Sequence, residues 1–468
     1  MVILVLVTIV GLVGGGGGAF PLFFVAAAVT AALVAYYRDP ARYVVFVFAM
    51  WFFTPWVRRV VDLHHGFQPA NFVLAAPVLV SMVALLTAFR RSRELRGAML
   101  YPFIFTVAGV AYGYFIGILK AGIFPATYGL ITWLGPISFS VHLILSWRQF
   151  PALRDAFLTF LVWAMPVVAG YGIYQVAFLP QWDRYWMLKA EVLSIGAALP
   201  FAFRAFGTMN APGPYSVALL IGILFLLGSA RRGMMLGMAL ALVAILLTRT
   251  RSAWVALLVG ILVVQFMGPV RRMARNWAFL LFLVVLAVPV LSLDVFRETI
   301  FTRFASFASL SEDNSFQARL QISNATSQMI GARAEGEGLG SIGGGGKLGS
   351  ASGRQASVDN GFLEIFFLMG WPGGSLIIMG LIGQLLTLAR FRDSRVDAFA
   401  NSARACVWAL LSVLLIGDIF SGAVGAMFWG AYGFACCAHA YNFASGKGLR
   451  SRQLVREFSL RPPARLPG

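Results

Sequence analysis

Charge is scarce in this chain. Of its 468 residues only 12% are Asp, Glu, Lys or Arg, 59% are hydrophobic, and the mean hydropathy is +0.81. A soluble protein of this length could not bury so much apolar surface, which excludes a soluble globular domain. Cysteine is scarcer still: Cys406, Cys436 and Cys437 are the whole complement. All three fall in apolar runs, with no ligand spacing and no partner outside them, so neither a disulfide nor a metal site is expected. Of the histidines, His64 and His65 follow Asp62 with no further ligand nearby and read as an exposed loop. His142 and His439 read as helix-packing residues. A basic segment after Met1 is also lacking, so the first apolar run reads as a retained helix and not a cleaved signal. No repeat of fixed period is visible, which argues against an inverted-repeat transporter.

What the chain has in abundance is long apolar sequence. Runs of about 18 or more such residues read as membrane-spanning helices. About fourteen are present, near 2–19, 20–37, 43–57, 72–89, 99–119, 127–147, 156–177, 214–229, 233–248, 252–269, 277–293, 361–389, 402–420 and 423–443. Several are short, and the last long run admits a broken helix. The expected fold is all-α and polytopic, with about 12–14 transmembrane helices and one large loop on the outer side. The expected organisation is a single transmembrane domain over 1–443, holding a loop at about 294–360, and a basic cytoplasmic tail over 444–468.

The net charge of +19 first suggests a nucleic-acid partner. Its distribution argues otherwise. The alternate loops 38–42, 90–96, 148–154, 231–232, 271–275 and 390–404, with the tail from Lys447, hold 23 of the 37 Lys and Arg residues. That is the positive-inside pattern, and it places both termini in the cytoplasm. No nucleic acid is expected; anionic lipid is a secondary partner for the basic loops. The other 14 basic residues fall on the outer side, where arginines at helix ends oppose the insertion bias. An anionic ligand at the outer leaflet would account for them.

The most informative segment is Asp294 to Asn360, a polar loop amid apolar runs. It carries Arg297, Arg303, Arg319, Arg333, Lys347 and Arg354, with eight glycines between Gly331 and Gly346. A loop this long is usually functional or disordered. Two patterns inside it mislead. Gly338-Leu339-Gly340-Ser341-Ile342-Gly343 spells a dinucleotide fingerprint, but no strand precedes it. GGGGKL resembles a phosphate loop, but that motif needs Gly at 341 and Ser or Thr at 348, where this chain has Ser341 and Leu348. The glycines read instead as a mobile flap or as tight turns. The sequon at Asn324 reads as accidental. Outside the loop, Trp182, Tyr185 and Trp186 beside Asp183, Arg184 and Lys189 suit a helix lying at the interface.

Four clusters fall on the outer face. The first is FRAFGTMNAPGPYSVAL, with Arg204 ahead of a helix. The second is TRTRSAWVALL, with Arg249 and Arg251 at a helix start. The third is SEDNSFQARLQISNATSQMI, with Arg319. The fourth is VDNGFLEIFFLMGWPGG, with Asp359, Asn360 and Glu364. Arginine suits diphosphate because it stays charged and its planar fork makes paired bonds to phosphate oxygens. Several forks can neutralise a leaving diphosphate without metal. Glycosyl transfer from a diphosphate lipid also needs a base for the incoming hydroxyl, and Asp359 or Glu364 are candidates.

Each residue also has a bland reading. An arginine at a helix end can simply snorkel to headgroups. Asp359 followed by Asn360 makes a reasonable helix N-cap. Glu364 lies one turn inside an apolar helix, where an ionisable group is costly and functional by default. Asp418, in LLIGDIFSG, carries the same argument. Both can instead be counter-ions for arginines.

Taken in order, the clusters resemble the O-antigen ligase and polymerase family of bacterial envelopes. Members carry an Arg ahead of a Gly-Thr…Asn-Pro-like turn, here Arg204, Gly207, Thr208 and Asn210. They carry an Arg-Ser stretch opening a helix, here Arg251-Ser252-Ala253-Trp254. Their long periplasmic loop has an Arg-containing segment and a G-x-G, matched by Arg319 and Gly338-Leu339-Gly340. A His-Asn-x-x-Leu…Gly segment follows, and here it reads Asp359-Asn360-Gly361-Phe362-Leu363…Gly370. The resemblance spans about 200–375, and the stretch TMNAPGP looks most like the branch that polymerises exopolysaccharide. Asp359 stands where ligases of the family have His, which puts a histidine base in doubt.

The resemblance implies an enzyme of the bacterial inner membrane that needs no metal or other cofactor and whose site faces the periplasm. It would join polyprenyl-diphosphate-linked oligosaccharide repeat units into polymer. By the same resemblance Asp359, Glu364 and Arg319 would be catalytic. Arg204, Arg249, Arg251, Arg303 and Arg319 would bind diphosphate, with Asn210, Asn360 and Asp418 in support. Expected partners are the lipid-linked donor, the acceptor glycan, membrane lipid, a chain-length regulator and export machinery. The rival enzyme reading is a ligase moving finished glycan to lipid A core or protein. The rival of another class is a flippase for the same lipid-linked sugars, but that needs no large one-sided loop and should show internal duplication.

Overall fold

A computed structural model describes residues 19–97, 99–229, 233–267, 273–274, 277–278, 281, 314–346, 358, 360–391 and 397–446; the side chains of 96, 193, 314–316, 318 and 319 fall outside that description. The helices are α1 (Phe20–Arg38), α2 (Pro40–His65), α3 (Ala75–Met82), α4 (Leu85–Arg90), α5 (Tyr101–Lys120), α6 (Ile123–Leu145) and α7 (Phe150–Phe178). They continue as α8 (Gln181–Ala190), α9 (Pro212–Leu227), α10 (Met234–Leu247), α11 (Arg251–Met267), α12 (Asn314–Ala332), α13 (Gly361–Arg390), α14 (Ala398–Leu411) and α15 (Gly422–Ala444). Among the described residues the only β pairing is an isolated bridge between Gly196 and Phe203. Seven helical spans are long and apolar enough to cross a membrane, and α9, α10 and α11 are shorter apolar helices. The protein is an all-α, multi-pass membrane protein. The runs at 2–19 and almost all of 277–293 lie outside the described residues, as does the tail from 447.

Local chemistry sets the helix ends. The Asp39 carboxylate accepts from the Ala41 and Arg42 amides at 3.0 and 3.3 Å, with Pro40 at the first helical position of α2. Asp397 caps α14 in the same way, through the Phe399 and Ala400 amides. The apolar run 72–89 is not one straight helix but α3 and α4 joined by a turn. The run 402–420 is helical only to Leu411, after which the chain turns. Helix α9 is short for a bilayer, about 24 Å at ~1.5 Å per residue, yet its residues from Tyr215 to Leu227 are all buried. It packs against α7, α10, α11, α14 and α15, so protein and not lipid surrounds it.

The core is aromatic where α2, α7, α9, α14 and α15 meet. Phe157 lies 4.7 Å from Phe48 and 5.0 Å from Phe225 between ring centroids, and Phe399 lies 4.9 Å from Phe225 and 5.2 Å from Phe434. Such pairs add to the area they bury. His142 is buried in the same style, its Nδ1 2.7 Å from the Thr87 hydroxyl and its ring against Tyr36 and Tyr43. His439 stacks on Phe391 at 3.8 Å.

The connecting segments gather at two ends of the bundle. One end joins Arg90 to Tyr37, Arg91 to the Leu145 carbonyl, and Asn442 to Asp397. These belong to the basic loops read as cytoplasmic. The opposite end holds the turns after α2, α8 and α10, the segment 334–346, and the start of α13.

Helix α13 is broken. Gly370 has φ 60° and ψ −174°, and Pro372 follows it. The break leaves the Phe367 and Leu368 carbonyls without helical donors. The segment 334–339 supplies what is missing: Glu337 and Gly338 donate to those two carbonyls at 2.7 and 2.8 Å, and the Trp371 amide donates to the Ala334 carbonyl at 2.8 Å. Leu339 then enters between α5 and α6, its amide donating to the Gly113 carbonyl at 2.8 Å. The misleading glycine fingerprint is thus a packed turn, with positive φ at Gly338, Gly340 and Gly343.

Candidate active site

The turn at 203–210 is held from two sides. On one side the Arg204 amide donates to the Ile195 carbonyl at 2.8 Å and the Ala205 amide to the Leu247 carbonyl at 3.0 Å. The Arg204 guanidinium donates to the Thr248 carbonyl at 3.0 Å and the Thr250 hydroxyl at 2.9 Å, with a longer bond to the Ser194 carbonyl at 3.4 Å. Arg204 therefore reaches the turn between α10 and α11 that carries Arg249 and Arg251. Arg249 adopts a left-handed backbone, φ 51°, and its Nη2 donates to the carbonyl of Phe201, itself at φ 60°. Non-glycine residues in this region are strained, and such strain concentrates at functional sites. Arg251 opens α11 and is half-buried. Three of the five arginines expected to bind diphosphate are thus gathered around one turn.

On the other side stands a group of residues the sequence reading did not single out. Arg59 and Asp183 form an ion pair at 2.7 Å, and both side chains are fully buried. Arg59 also donates to the Met209 and Gly207 carbonyls and to Asn210 Oδ1. In sequence, Arg59 was one outer basic residue among many, and Asp183 one charge of an interfacial helix. Helix α8 is amphipathic as expected, with Asp183, Trp186 and Met187 buried and Arg184, Leu188 and Lys189 exposed. Arg58 pairs separately with Asp62 at 2.9 Å, one turn along α2. That second pairing was legible as an i, i+4 spacing; the first, between distant segments, was not.

The fourth cluster is built at the start of α13. Asn360 is its N-cap, the side-chain oxygen accepting from the Phe362 and Leu363 amides at 2.9 and 3.2 Å. Glu364 stands in the first turn, half-buried, its amide donating to the Asn360 carbonyl at 2.9 Å. The Gly361 amide donates to the Leu414 carbonyl at 2.8 Å, which docks this helix start on the segment after α14. Asp418 lies in that segment. Its carboxylate accepts from the Phe420 amide at 2.7 Å, the Ser421 amide at 3.1 Å and the Ser421 hydroxyl at 2.5 Å. Asp418 therefore shapes the turn into α15. Because α11 packs on α14, the arginine turn and the start of α13 belong to neighbouring elements at one end of the bundle.

Asp359 and Arg303 lie outside the described residues. Arg319 falls within α12, which packs on α13, but its side chain is not described. At the rim, Lys120 binds the Glu335 carboxylate at 2.9 Å and the Gly336 carbonyl at 2.6 Å. That ammonium holds the Glu335 carboxyl below its usual range. Among the described residues no three His, Cys, Asp or Glu side chains are grouped to hold a metal ion.

A multi-pass helical protein with arginine-lined turns at one end defines the class. Residues 236–378 match the family model described as O-Antigen ligase, a stretch that runs from α10 into α13. Over that segment the chain is similar to the O-antigen ligase family, whose members are enzymes. No curated protein matches the chain.

Proposed function

We propose that the protein is a glycosyltransferase that polymerises polyprenyl-diphosphate-linked repeat units at the periplasmic face of the inner membrane. The observation that supports this most is the turn shared by Arg204, Arg249 and Arg251, where Arg204 binds both the Thr248 carbonyl and the Thr250 hydroxyl. Guanidinium groups fixed in this way at the membrane surface meet a lipid diphosphate at the depth where it must lie.

In the reaction, a hydroxyl of the acceptor glycan attacks the anomeric carbon of the donor. The new carbon–oxygen bond forms as the bond to diphosphate breaks. Polyprenyl diphosphate leaves with the bonding electrons, and the arginines, Arg303 and Arg319 included, stabilise its charge. The hydroxyl proton passes to a carboxylate, Asp359 first and Glu364 otherwise. Neither step calls on a metal ion. Membrane lipid, the acceptor glycan, a chain-length regulator and export machinery are the partners such an activity needs.

Deleting the gene tests the reading. A polymerase predicts loss of surface polymer and accumulation of single lipid-linked repeats. Finished polymer stranded on the carrier lipid would instead identify a ligase.

A further inference from the structure

The Arg59–Asp183 pair calls for an explanation. Removing two charges from water costs as much as their attraction returns, so a pair this deeply buried adds no clear stability over apolar packing. What it does have is reach. Asp183 Oδ2 accepts from the Tyr171 hydroxyl at 2.7 Å and from Gln175 Nε2 at 2.6 Å. Gln175 Oε1 in turn accepts from the Phe206 and Gly207 amides at 3.2 and 2.8 Å. Arg59 takes the Gly207 and Met209 carbonyls of the same turn. The amides of Phe206 and Gly207 and the carbonyls of Gly207 and Met209 are thus bound by two side chains that share one carboxylate.

The last member of the network points outward. Arg59 Nη1 lies 3.3 Å from the Asn210 carboxamide. A guanidinium only donates, so the amide atom facing it must be the oxygen. That fixes the flip of the carboxamide and turns its Nδ2 away from Arg59. Asn210 is half-buried, and its Nδ2 has no hydrogen-bond partner among the described residues. A donor held in one orientation, six positions along the turn from Arg204, is what recognition of a phosphate oxygen uses.

We propose that Arg59, Asp183 and Gln175 form a buried positioning unit that holds the 203–210 turn and presents Asn210 Nδ2 as a fixed hydrogen-bond donor to the diphosphate of the lipid-linked donor. This rests on the proposed function and assigns Asn210 a binding role and the other three positioning roles.

Asn210→Asp separates the two things Asn210 can do. The carboxylate is an even better acceptor for Arg59, so a purely structural role survives. The outward donor is lost. The full chain, purified in detergent, is titrated with undecaprenyl diphosphate, and its melting temperature is recorded. The expected result is an unchanged melting temperature with affinity reduced about tenfold or more. Asn210→Leu, of similar size and uncharged, must weaken binding too, which distinguishes a lost donor from added repulsion. Asp183→Asn is expected to raise KM for the lipid-linked donor more than it lowers kcat. A fall in kcat at constant KM, the pattern of less folded enzyme, would overturn the positioning role. Wild-type affinity in Asn210→Asp, alongside weak binding in Arg204→Ala, overturns this proposal and leaves the diphosphate site standing. Wild-type affinity in both removes the diphosphate site itself, and this proposal with it.

Discussion

The Gly338 amide donates to the Leu368 carbonyl at 2.8 Å, and Leu368 is the acceptor that Pro372 cannot use. One end of the long loop is therefore part of the helix it precedes. Unsatisfied backbone groups are costly at membrane depth, so a broken helix survives only where something else completes its hydrogen bonds. Here the segment 334–338 does so, and in return it is held in one place against the break at Phe367–Trp371.

That contact makes Gly336 a sharp test. It has φ 82°, and a Cβ there would stand 2.3 Å from the Gly370 amide nitrogen, a backbone atom that cannot swing aside. Gly336→Ala should destabilise the protein by about 2 kcal/mol or more, since a left-handed non-glycine residue alone costs about 1–3 kcal/mol. Gly331 is the control. It lies in the last turn of α12 with nothing within 4 Å of a built Cβ, so Gly331→Ala should be neutral or stabilising by up to about 1 kcal/mol. Melting of the two purified variants measures both. Equal melting temperatures would show that 334–338 is not docked on the break.

Topology gives the second prediction. The bundle gathers the basic loops at one end and the arginine turn at the other. Cys406, Cys436 and Cys437 are buried, so the native thiols should stay silent to an impermeant reagent. Ser350→Cys should label from outside intact cells after the outer envelope is opened, and Arg93→Cys only after the inner membrane is broken. Labelling of both from the same side is incompatible with a periplasmic site.

The helices were legible because hydrophobic run length and loop charge are local properties. The segment around Trp182 is helical as its pattern suggested, over Gln181–Ala190. The division of 72–89 into α3 and α4 was not legible, because the turn at 83–84 involves only apolar residues. Arg59 was missed for a different reason. Its partners Asp183, Gly207 and Met209 come from two later segments, and nothing in VRRVVD tells one arginine that will be buried from its neighbour. Asn360 was half-read: Asp359 and Asn360 both suit a cap, and the geometry gives the cap to Asn360.

Arginine geometry gives the third prediction. Arg204 donates through Nε and Nη2 to two groups at once, Thr248 and Thr250. Lysine keeps the charge but has no fork, so Arg204→Lys, Arg251→Lys and Arg319→Lys should each weaken donor binding. A lost charge-assisted bond is typically about 1.5–3 kcal/mol, roughly tenfold to a hundredfold in affinity. Thr250→Val removes one anchor of Arg204 and leaves its charge, so it should give a smaller loss in the same direction. Full polymer yield from all three Lys variants at normal expression would refute a shared diphosphate site.

Asp359 and Asn360 can be tested against each other. Asn360 accepts from the amides of Phe362 and Leu363, so its contribution is that of an N-cap. Asn360→Ala should cost about 1 kcal/mol of stability, measured by melting, while the enzyme that remains folded keeps its turnover. By the resemblance Asp359 stands at the family's histidine position, and it is proposed as the acceptor of the hydroxyl proton. An ionised carboxylate is a weaker base than histidine but still a proton acceptor. Asp359→Asn keeps size and polarity and removes only the basic oxygen. The variant should fold, insert and bind undecaprenyl diphosphate as the parent does, yet make little polymer. Near-normal polymer from Asp359→Asn would transfer the role to Glu364, one turn into α13, and Glu364→Gln would then be the variant that binds donor and fails to extend it.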